Sequence, residues 1–448
     1  MIRISDEIKE KLFYPKININ TSLKNQVPLI FADDVASGRP SPYIDKLLTT
    51  KVLPYYANTH SNATTGETMA EKLNITRDKI REFYGLDKSY KIIFTGSGCT
   101  SAINHLINLL DYNTHKNTKV YISRLEHYSN HLPWVELCKR ELVQLNIIDL
   151  DENNEIDYQQ LEDKIKNDIS KTLKIISMTG GSNVTGVLTD VKKLLKIKKK
   201  YDNVLVFLDN ACIAPYIRDS YINVDAIFIS GHKFVGGQTT PGILIAKKTL
   251  FEKDAPFSPG GGSVMRLDKQ KPIYSNDIET RESAGTPNIL GIIRLFYVYR
   301  LYESLMPIID KNNKFLNDYL KTKFKILMDK YKDLYVLNIE TTKTENKLPI
   351  ISFNIKNLHY NFIVVLLNDL FGIQTRGGIS CCGLLADVIE KKYKFRGWVR
   401  VSFSWKMTIE EVDYILDAIE YILNNHNNYK SKYNYNQDKN KFIYSSSS

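Results

Sequence analysis

Residues 203–237 read NVLVFLDNACIAPYIRDSYINVDAIFISGHKFVGG, and two apolar runs inside this stretch, NVLVFLD (203–209) and AIFIS (226–230), decide the fold. Each is a short, nearly continuous apolar run bounded by polar and turn-forming residues, the pattern of a strand covered on both faces. Each also ends on chemistry. Asp209 closes the first run, and the turn Gly231-His232-Lys233-Phe234-Val235-Gly236-Gly237 follows the second. Ligands of open α/β sheets bind beyond the carboxyl ends of the strands, so if these two strands are neighbours Lys233 stands beside Asp209. Taken singly, the acid also reads as a helix cap or an ion-pair partner, and a loop lysine as a solvated one.

Outward from this stretch, KIIF (91–94), KVYIS (119–123) and KIISM (174–178) supply further strand-like runs. SAINHLINLL (101–110) and residues 157–169 place apolar side chains at helical spacing between them. Repeated strand and helix units predict an α/β fold around a mainly parallel central sheet. After KIIF comes TGSGCTSAINHL, where glycines let the chain turn tightly into a helix whose free N–H groups can hold a phosphate. A plain tight turn would read the same way. Past residue 305 the pattern becomes a long helical region, NKFLNDYLKTKFKILMDKY, followed by LPIISFNI (348–355), VRVSFS (399–404) and a last helix over 409–423. That is the pattern of a smaller α+β C-terminal domain.

The bulk properties bound the function classes. A chain of 448 residues exceeds the size at which one core stops growing, so two domains are expected. With 43% hydrophobic and 25% charged residues the composition is that of an ordinary globular protein. No stretch approaches the roughly 18 apolar residues that span a bilayer, and the acids in MIRISDEIKEKLF argue against a leader peptide, so a cytoplasmic protein without a membrane partner is expected. The five cysteines, Cys99, Cys138, Cys212, Cys381 and Cys382, form no CxxC pair and no metal-ligand spacing, which fits a reducing compartment. The net charge of +11 raises the question of an anionic partner. Lys192, Lys193, Lys196, Lys198, Lys199 and Lys200 alternate with Leu194, Leu195 and Ile197, however, which reads as the solvated face of a helix rather than a nucleic-acid surface.

Several further motifs share one register with the lysine turn. They are Glu126-His127 with Ser129-Asn130 and Leu132-Pro133-Trp134, then Ser182-Asn183-Val184-Thr185-Gly186, then Ser230-x-His232-Lys233, then Ala284-Gly285-Thr286-Pro287-Asn288. In this order, over about residues 30–420, the chain resembles the class V aminotransferases, especially their cysteine desulfurase branch. The resemblance implies the pyridoxal-phosphate-dependent transferase fold, type I and aspartate-aminotransferase-like. It implies an N-terminal segment (1–30) packing with the small domain, a large cofactor-binding domain (31–305) and a small C-terminal domain (306–424). Residues 425–448 lack apolar periodicity and are expected to be disordered.

The same resemblance assigns roles. Lys233 would carry pyridoxal 5'-phosphate as a Schiff base, and Asp209 would pair with the ring nitrogen, keeping the ring an electron sink. His127 would lie against the ring face, Asn183 would meet the ring hydroxyl, and Thr100, Ser230 and His232 would hold the phosphate. Thr286 would reach the phosphate of a neighbouring subunit, implying a homodimer. Cys212 is a departure: many desulfurases carry Gln there as a further donor to the ring hydroxyl, and a thiol is a poor replacement.

The C-terminal motifs bear on the reaction. Arg376-Gly377-Gly378-Ile379-Ser380-Cys381 resembles the R-x-G-x-x-C segment carrying the nucleophilic cysteine of short-loop desulfurases, which makes Cys381 the candidate nucleophile. Arg400, rather than Arg396, aligns with the arginine whose fork binds the substrate carboxylate. The expected activity is conversion of L-cysteine to L-alanine with a persulfide forming on Cys381, passed on to a sulfur-acceptor protein. Ile379-Ser380, the doubled Cys381-Cys382 and Cys212 depart from standard desulfurases, leaving open another class V reaction, such as that of an aminotransferase, lyase or epimerase. A non-catalytic binding or scaffold protein is the remaining alternative.

Overall fold

The computed structural model of the protein describes residues 8, 10, 12–168 and 171–445. Residues 1–7, 9 and 11 of the expected N-terminal segment, Ile169 at the end of an expected helix, and residues 446–448 of the tail lie outside the described residues.

Alternation along buried strands builds the large domain. Its seven strands are β1 (Tyr90–Thr95), β2 (Thr118–Ser123), β3 (Val143–Ile148), β4 (Lys174–Thr179), β5 (Val204–Asp209), β6 (Ala226–Ser230) and β7 (Gly242–Lys247), in spatial order β1-β7-β6-β5-β4-β2-β3. Strands β2 to β6 pair in parallel, and β7 runs antiparallel between β1 and β6. Every residue of β4 and β6 is buried, as expected of parallel strands covered on both faces. Successive side chains enter opposite cores: Ile92, Leu208 and Ile227 join one, and Ile93, Phe207 and Phe228 the other.

All five strands expected in this region are present, and β3 and β7 are additions. Strand β3 reads VQLNII, where Gln144 and Asn146 interrupt the apolar signal because it is the sheet edge. Strand β7 is a short run directly after Pro241, easily read as part of the preceding loop. The lysine-rich helix Val191–Lys200 buries Leu194 and Ile197 and pairs Lys198 with Asp225 and Lys200 with Glu162, in keeping with a solvated face.

A 42-residue helix, Ile289–Lys330, links the two cores. Its first part packs Ile292, Leu295, Tyr299 and Tyr302 into the large core, and its second part packs Leu316, Leu320 and Phe324 into the smaller one. The change of pattern expected near residue 305 therefore falls inside one continuous helix. The smaller core is built on an antiparallel sheet of β8 (Leu334–Val336), β9 (Ile350–Ile355), β10 (Arg376–Gly378) and β11 (Trp398–Ser402), in order β8-β9-β11-β10. The N-terminal strand Ile30–Phe31 pairs in parallel with Ile373–Gln374, and Thr21 Oγ1 donates to Asp369 O at 2.7 Å. Among the described residues no helix is long and apolar enough to cross a membrane.

The tail departs from its expected disorder. Tyr433–Asn436 and Lys441–Tyr444 form an antiparallel hairpin, pairing Tyr433 with Tyr444 and Tyr435 with Phe442. These four aromatics occupy alternate positions, flanked by Asn434, Asn436, Lys441 and the exposed Ile443, so one face of the hairpin is aromatic. That face meets the start of the helix Tyr360–Phe371: Phe442 and Tyr433 lie 5.1 and 5.8 Å from Phe362, and Tyr435 lies 5.0 Å from His359. Tyr433 OH donates to Asp369 Oδ2 at 2.7 Å. The signal was a two-residue period of tyrosines, which a search for helical apolar spacing does not register. Deleting residues 433–448 should lower the thermal midpoint by a few degrees, on the order expected for losing several aromatic contacts from a chain this large. An unchanged midpoint by calorimetry would contradict this packing.

Candidate active site

The site begins with strand register. In the β5–β6 ladder Asp209 lies opposite Phe228, and in the β4–β5 ladder it lies opposite Thr179. The carboxyl ends of three adjacent strands therefore present Thr179, Asp209 and Ser230 along one sheet edge. The chain leaves β6 through the single turn Gly231–Lys233, which delivers Lys233 beside Asp209. The turn has no slack. A Cβ on Gly38 would fall 2.1 Å from Phe234 O and 2.7 Å from Lys233 O, and Gly38 N donates to His232 O at 3.0 Å.

The helix Gly98–Leu109 starts at the same edge. Gly98 has φ +56°, and a Cβ there would lie 2.8 Å from Ser230 Oγ and 3.0 Å from His232 Cε1. Cys99 N donates to Ser230 Oγ at 2.9 Å, and Thr100 Oγ1 lies 2.6 Å from Ser129 Oγ. A helix N-terminus, two hydroxyls and an imidazole thus converge, the donor set of an anion site. Burial and the Lys233 charge hold His232 below the ordinary histidine range.

His127 caps the helix Tyr128–Lys139, its Nδ1 accepting from Ser129 N at 3.1 Å. Burial, with the charges of Lys233 and Arg400, pushes its pKa down against the opposing pull of Asp209. A neutral ring whose Nδ1 accepts carries its proton on Nε2. Asn183, in the loop after β4, connects the two domains: its Nδ2 donates to Ser380 O at 3.0 Å and its Oδ1 accepts from Cys382 Sγ at 2.9 Å.

From the small domain come Cys381 and Arg400. Ser380 and Cys381 both adopt left-handed backbone, φ 52° and 57°, a conformation costing roughly 1–2 kcal/mol per non-glycine residue. Tyr128 N donates to Cys381 O at 2.8 Å and Trp398 Nε1 to Ser380 Oγ at 3.2 Å, which helps hold the loop. Cys381 is exposed, whereas Cys382 is buried and its thiol is pushed well above the ordinary range. Arg400 is 3% exposed and donates to Asn183 O at 3.2 Å. Arg396 lies elsewhere, paired on the surface with Asp387 and Glu390.

One cavity of about 280 Å³ gathers these groups, lined by Lys233, Asp209, His127, Asn183, Cys381 and Arg400. Thr100, Ser230 and His232 border it as well, so nine of the ten residues singled out from sequence meet in one place. The tenth, Thr286, is exposed and outside it, its hydroxyl accepting from Asn58 Nδ2 at 2.9 Å. Cys212 lines the cavity too, a buried thiol pushed up to about 11 by desolvation. A groove of about 550 Å³ near Asp157 and Lys164 is larger but borders Lys119, at the amino ends of the strands, away from the ligand edge. The sequence reading gave no role to Asp33, which bonds Arg400 Nη2 at 2.7 Å and Arg376 Nε at 3.0 Å. Its only signal was the acid pair Asp33-Asp34 after a short apolar run.

Solved structures share this architecture. The cysteine desulfurase of Thermococcus onnurineus NA1 in its apo form superposes with a TM-score of 0.79 at 24% identity, over 95% of this chain and 99% of that one. The cysteine desulfurase CsdA of Escherichia coli does so with a TM-score of 0.73 at 20% identity, over 88% and 94%. The aminotransferase class-V family matches residues 36–415, and the chain belongs to that family of pyridoxal-phosphate enzymes. Among curated relatives, a probable cysteine desulfurase of Borreliella burgdorferi is 28% identical over 420 residues, 90% of this chain and 94% of that protein. A cysteine desulfurase of Wigglesworthia glossinidia brevipalpis is 28% identical over 404 residues, 88% and 93%.

Beneath His127 lies a buried acid. Glu126 accepts from Ser123 Oγ at 2.6 Å and from Asn130 Nδ2 at 2.7 Å, and burial pushes its carboxyl up to about 7. The folded protein holds this proton to higher pH than the unfolded chain, whose ordinary value is 4.5. The associated stability is full below 4.5 and is lost as pH rises through about 7. Glu126→Gln, neutral throughout, should therefore gain thermal stability relative to wild type between pH 5 and pH 8. Midpoints displaced equally at both pH values would contradict a buried protonated Glu126.

Proposed function

We propose that this enzyme is a cysteine desulfurase that binds pyridoxal phosphate at Lys233 and converts L-cysteine to L-alanine, leaving sulfur as a persulfide on Cys381. The observation that carries the reading is the meeting, in one cavity, of Lys233 and Asp209 from the large domain with Cys381 and Arg400 from the small one. The residues fit the cofactor. The buried Asp209 carboxylate would pair with a pyridinium nitrogen, the helix-capping imidazole of His127 would lie against the ring, and the glycine-opened helix N-terminus with Thr100, Ser230 and His232 suits a phosphate dianion. When bound, pyridoxal phosphate supplies the electron sink that makes the bond between substrate carbon and sulfur breakable.

The chain's own groups do the rest. The Arg400 guanidinium, buried and with its Nε–H lacking a protein acceptor, orients the substrate through its carboxylate. The neutral His127 ring offers an Nε2 proton beside Lys233. The Cys381 thiolate attacks the substrate sulfur: an S–S bond forms, the C–S bond breaks, and its electron pair ends on carbon, which takes a proton to give alanine. Asn183 ties the nucleophile loop to the cofactor end of the cavity through Ser380 O and Cys382 Sγ. Cys381 is exposed, as a thiol that hands sulfur to an acceptor protein needs to be.

The reading extends to a homodimer acting in the reducing cytoplasm. Supporting the dimer are the exposed Thr286 and the hairpin Val264–Asp268 with Lys271–Tyr274, whose Met265 and Leu267 are 63% and 69% exposed, and supporting a reducing compartment are the five free cysteines.

Cys381→Ala should retain bound cofactor yet lose sulfide and alanine formation from L-cysteine, on the order of 10²-fold or more, because carbon-centred chemistry needs Lys233 and Asp209 but no protein thiol. Sulfide release at the wild-type rate would overturn the assignment. So would a wild-type enzyme that makes no sulfide from cysteine and converts another amino acid without Cys381; another class V reaction would then take its place.

A further inference from the structure

The cavity wall holds a second arginine. Arg376 on β10 and Arg400 on β11 are direct cross-strand partners, and both border the cavity. Like charges in that register repel, so the arrangement needs a counter-ion. Asp33 supplies it: Oδ1 accepts from Arg400 Nη2 at 2.7 Å, and Oδ2 from Arg376 Nε at 3.0 Å and Nη2 at 2.9 Å.

Asp33 is held there by backbone. It follows the strand Ile30–Phe31, where Ala32 N donates to Gln374 O at 3.0 Å and Ser402 N donates to Ala32 O at 2.8 Å. Ala36 N closes the turn on Asp33 O at 3.0 Å. The N-terminal segment is thus fastened to β11, which carries Arg400, and to the strand Ile373–Gln374 that leads into Arg376, and its carboxylate is delivered between the two arginines. Asp33 does not itself border the cavity, so it meets the guanidinium pair from behind.

The charges decide what the wall accepts. Two guanidinium groups alone would offer two positive charges and two forks, a receptor for a dicarboxylate. With Asp33 in place the trio carries one net positive charge, and Arg376 through Nε and Nη2 and Arg400 through Nη2 both turn donors toward the Asp33 carboxylate. That charge balances one carboxylate rather than two.

Resting on the assignment of Arg400 to the substrate carboxylate, we propose that Asp33 is a specificity-determining residue, which makes a two-arginine wall select monocarboxylate amino acids over acidic ones. It touches no reacting atom and acts through Arg400 and Arg376.

Isothermal titration of the cofactor-loaded protein with L-alanine and with L-aspartate tests this without relying on turnover, with cofactor content and thermal midpoint recorded for each variant. Wild type should prefer L-alanine, and Asp33→Asn should improve L-aspartate binding about tenfold relative to L-alanine, the scale of one charge-pair coupling. An unchanged ratio would overturn the proposal. Adding Arg376→Gln to Asp33→Asn should restore the wild-type preference, and a double variant that keeps the gain would also overturn it. Should Asp33→Asn fail to fold, Arg376→Gln alone decides: Asp33 would then be left to oppose the ligand carboxylate, and L-alanine binding should weaken about tenfold, with unaltered binding counting against the proposal. Arg400→Gln separates the two claims. If it leaves L-alanine binding intact, the Arg400 assignment fails; if it abolishes binding while Asp33→Asn leaves the preference unchanged, only the Asp33 inference fails.

Discussion

The parallel pairing of Val204–Asp209 with Ala226–Ser230 is the constraint on which the site depends. Side-chain direction in a strand has period two, so a slip of one residue would turn Asp209 away from the edge it shares with the Ser230–Lys233 turn. Burial on both faces prevents the slip, because Phe207 and Phe228 lie in one core while Leu208 and Ile227 lie in the other. Asp209 and Lys233 are therefore placed by the least adaptable part of the molecule. The glycines at 38 and 98 extend this rigidity by letting backbone close onto the lysine turn.

On the proposed function the small domain contributes the groups that would distinguish one reaction from another, Cys381 and Arg400, and it is coupled to the sheet by few but specific contacts. Asn183 is the most economical of them, bonding the loop on both sides of Cys381 and accepting Arg400 at its backbone carbonyl. Cys382 thereby has a structural task that a small apolar residue would not perform, as donor to Asn183 Oδ1. The N-terminal segment is the second coupling. It passes from the arginine wall at Asp33 to the lysine turn at Gly38 within a few residues, spanning both ends of the cavity.

Much of this was legible in the sequence because apolar runs and turn chemistry are local. The five strands, the helix Gly98–Leu109, Asp209 and Lys233 follow from where runs end and which polar groups stand there, whereas His127, Asn183, Cys381, Arg400 and the phosphate-side residues were singled out by the resemblance to the class V aminotransferases. What was missed is either non-local or wrongly filtered. Asp33 has no local signature, since its role arises from two arginines more than 340 positions away that become neighbours only through β10 and β11 pairing. The edge strand Val143–Ile148 is masked by its polar, half-exposed residues. The C-terminal hairpin was lost because its apolar face is made of tyrosine and phenylalanine at period two, within a stretch rich in Asn and Lys.

The account rests on Lys233 as the residue that carries the cofactor. The direct measurement is borohydride reduction of protein supplied with pyridoxal phosphate, followed by proteolysis and mass spectrometry of the labelled peptide. A pyridoxyl group on Lys233, absent from a Lys233→Ala variant, is the predicted result. A label on any other lysine, or no label on a folded protein given the cofactor, would contradict it.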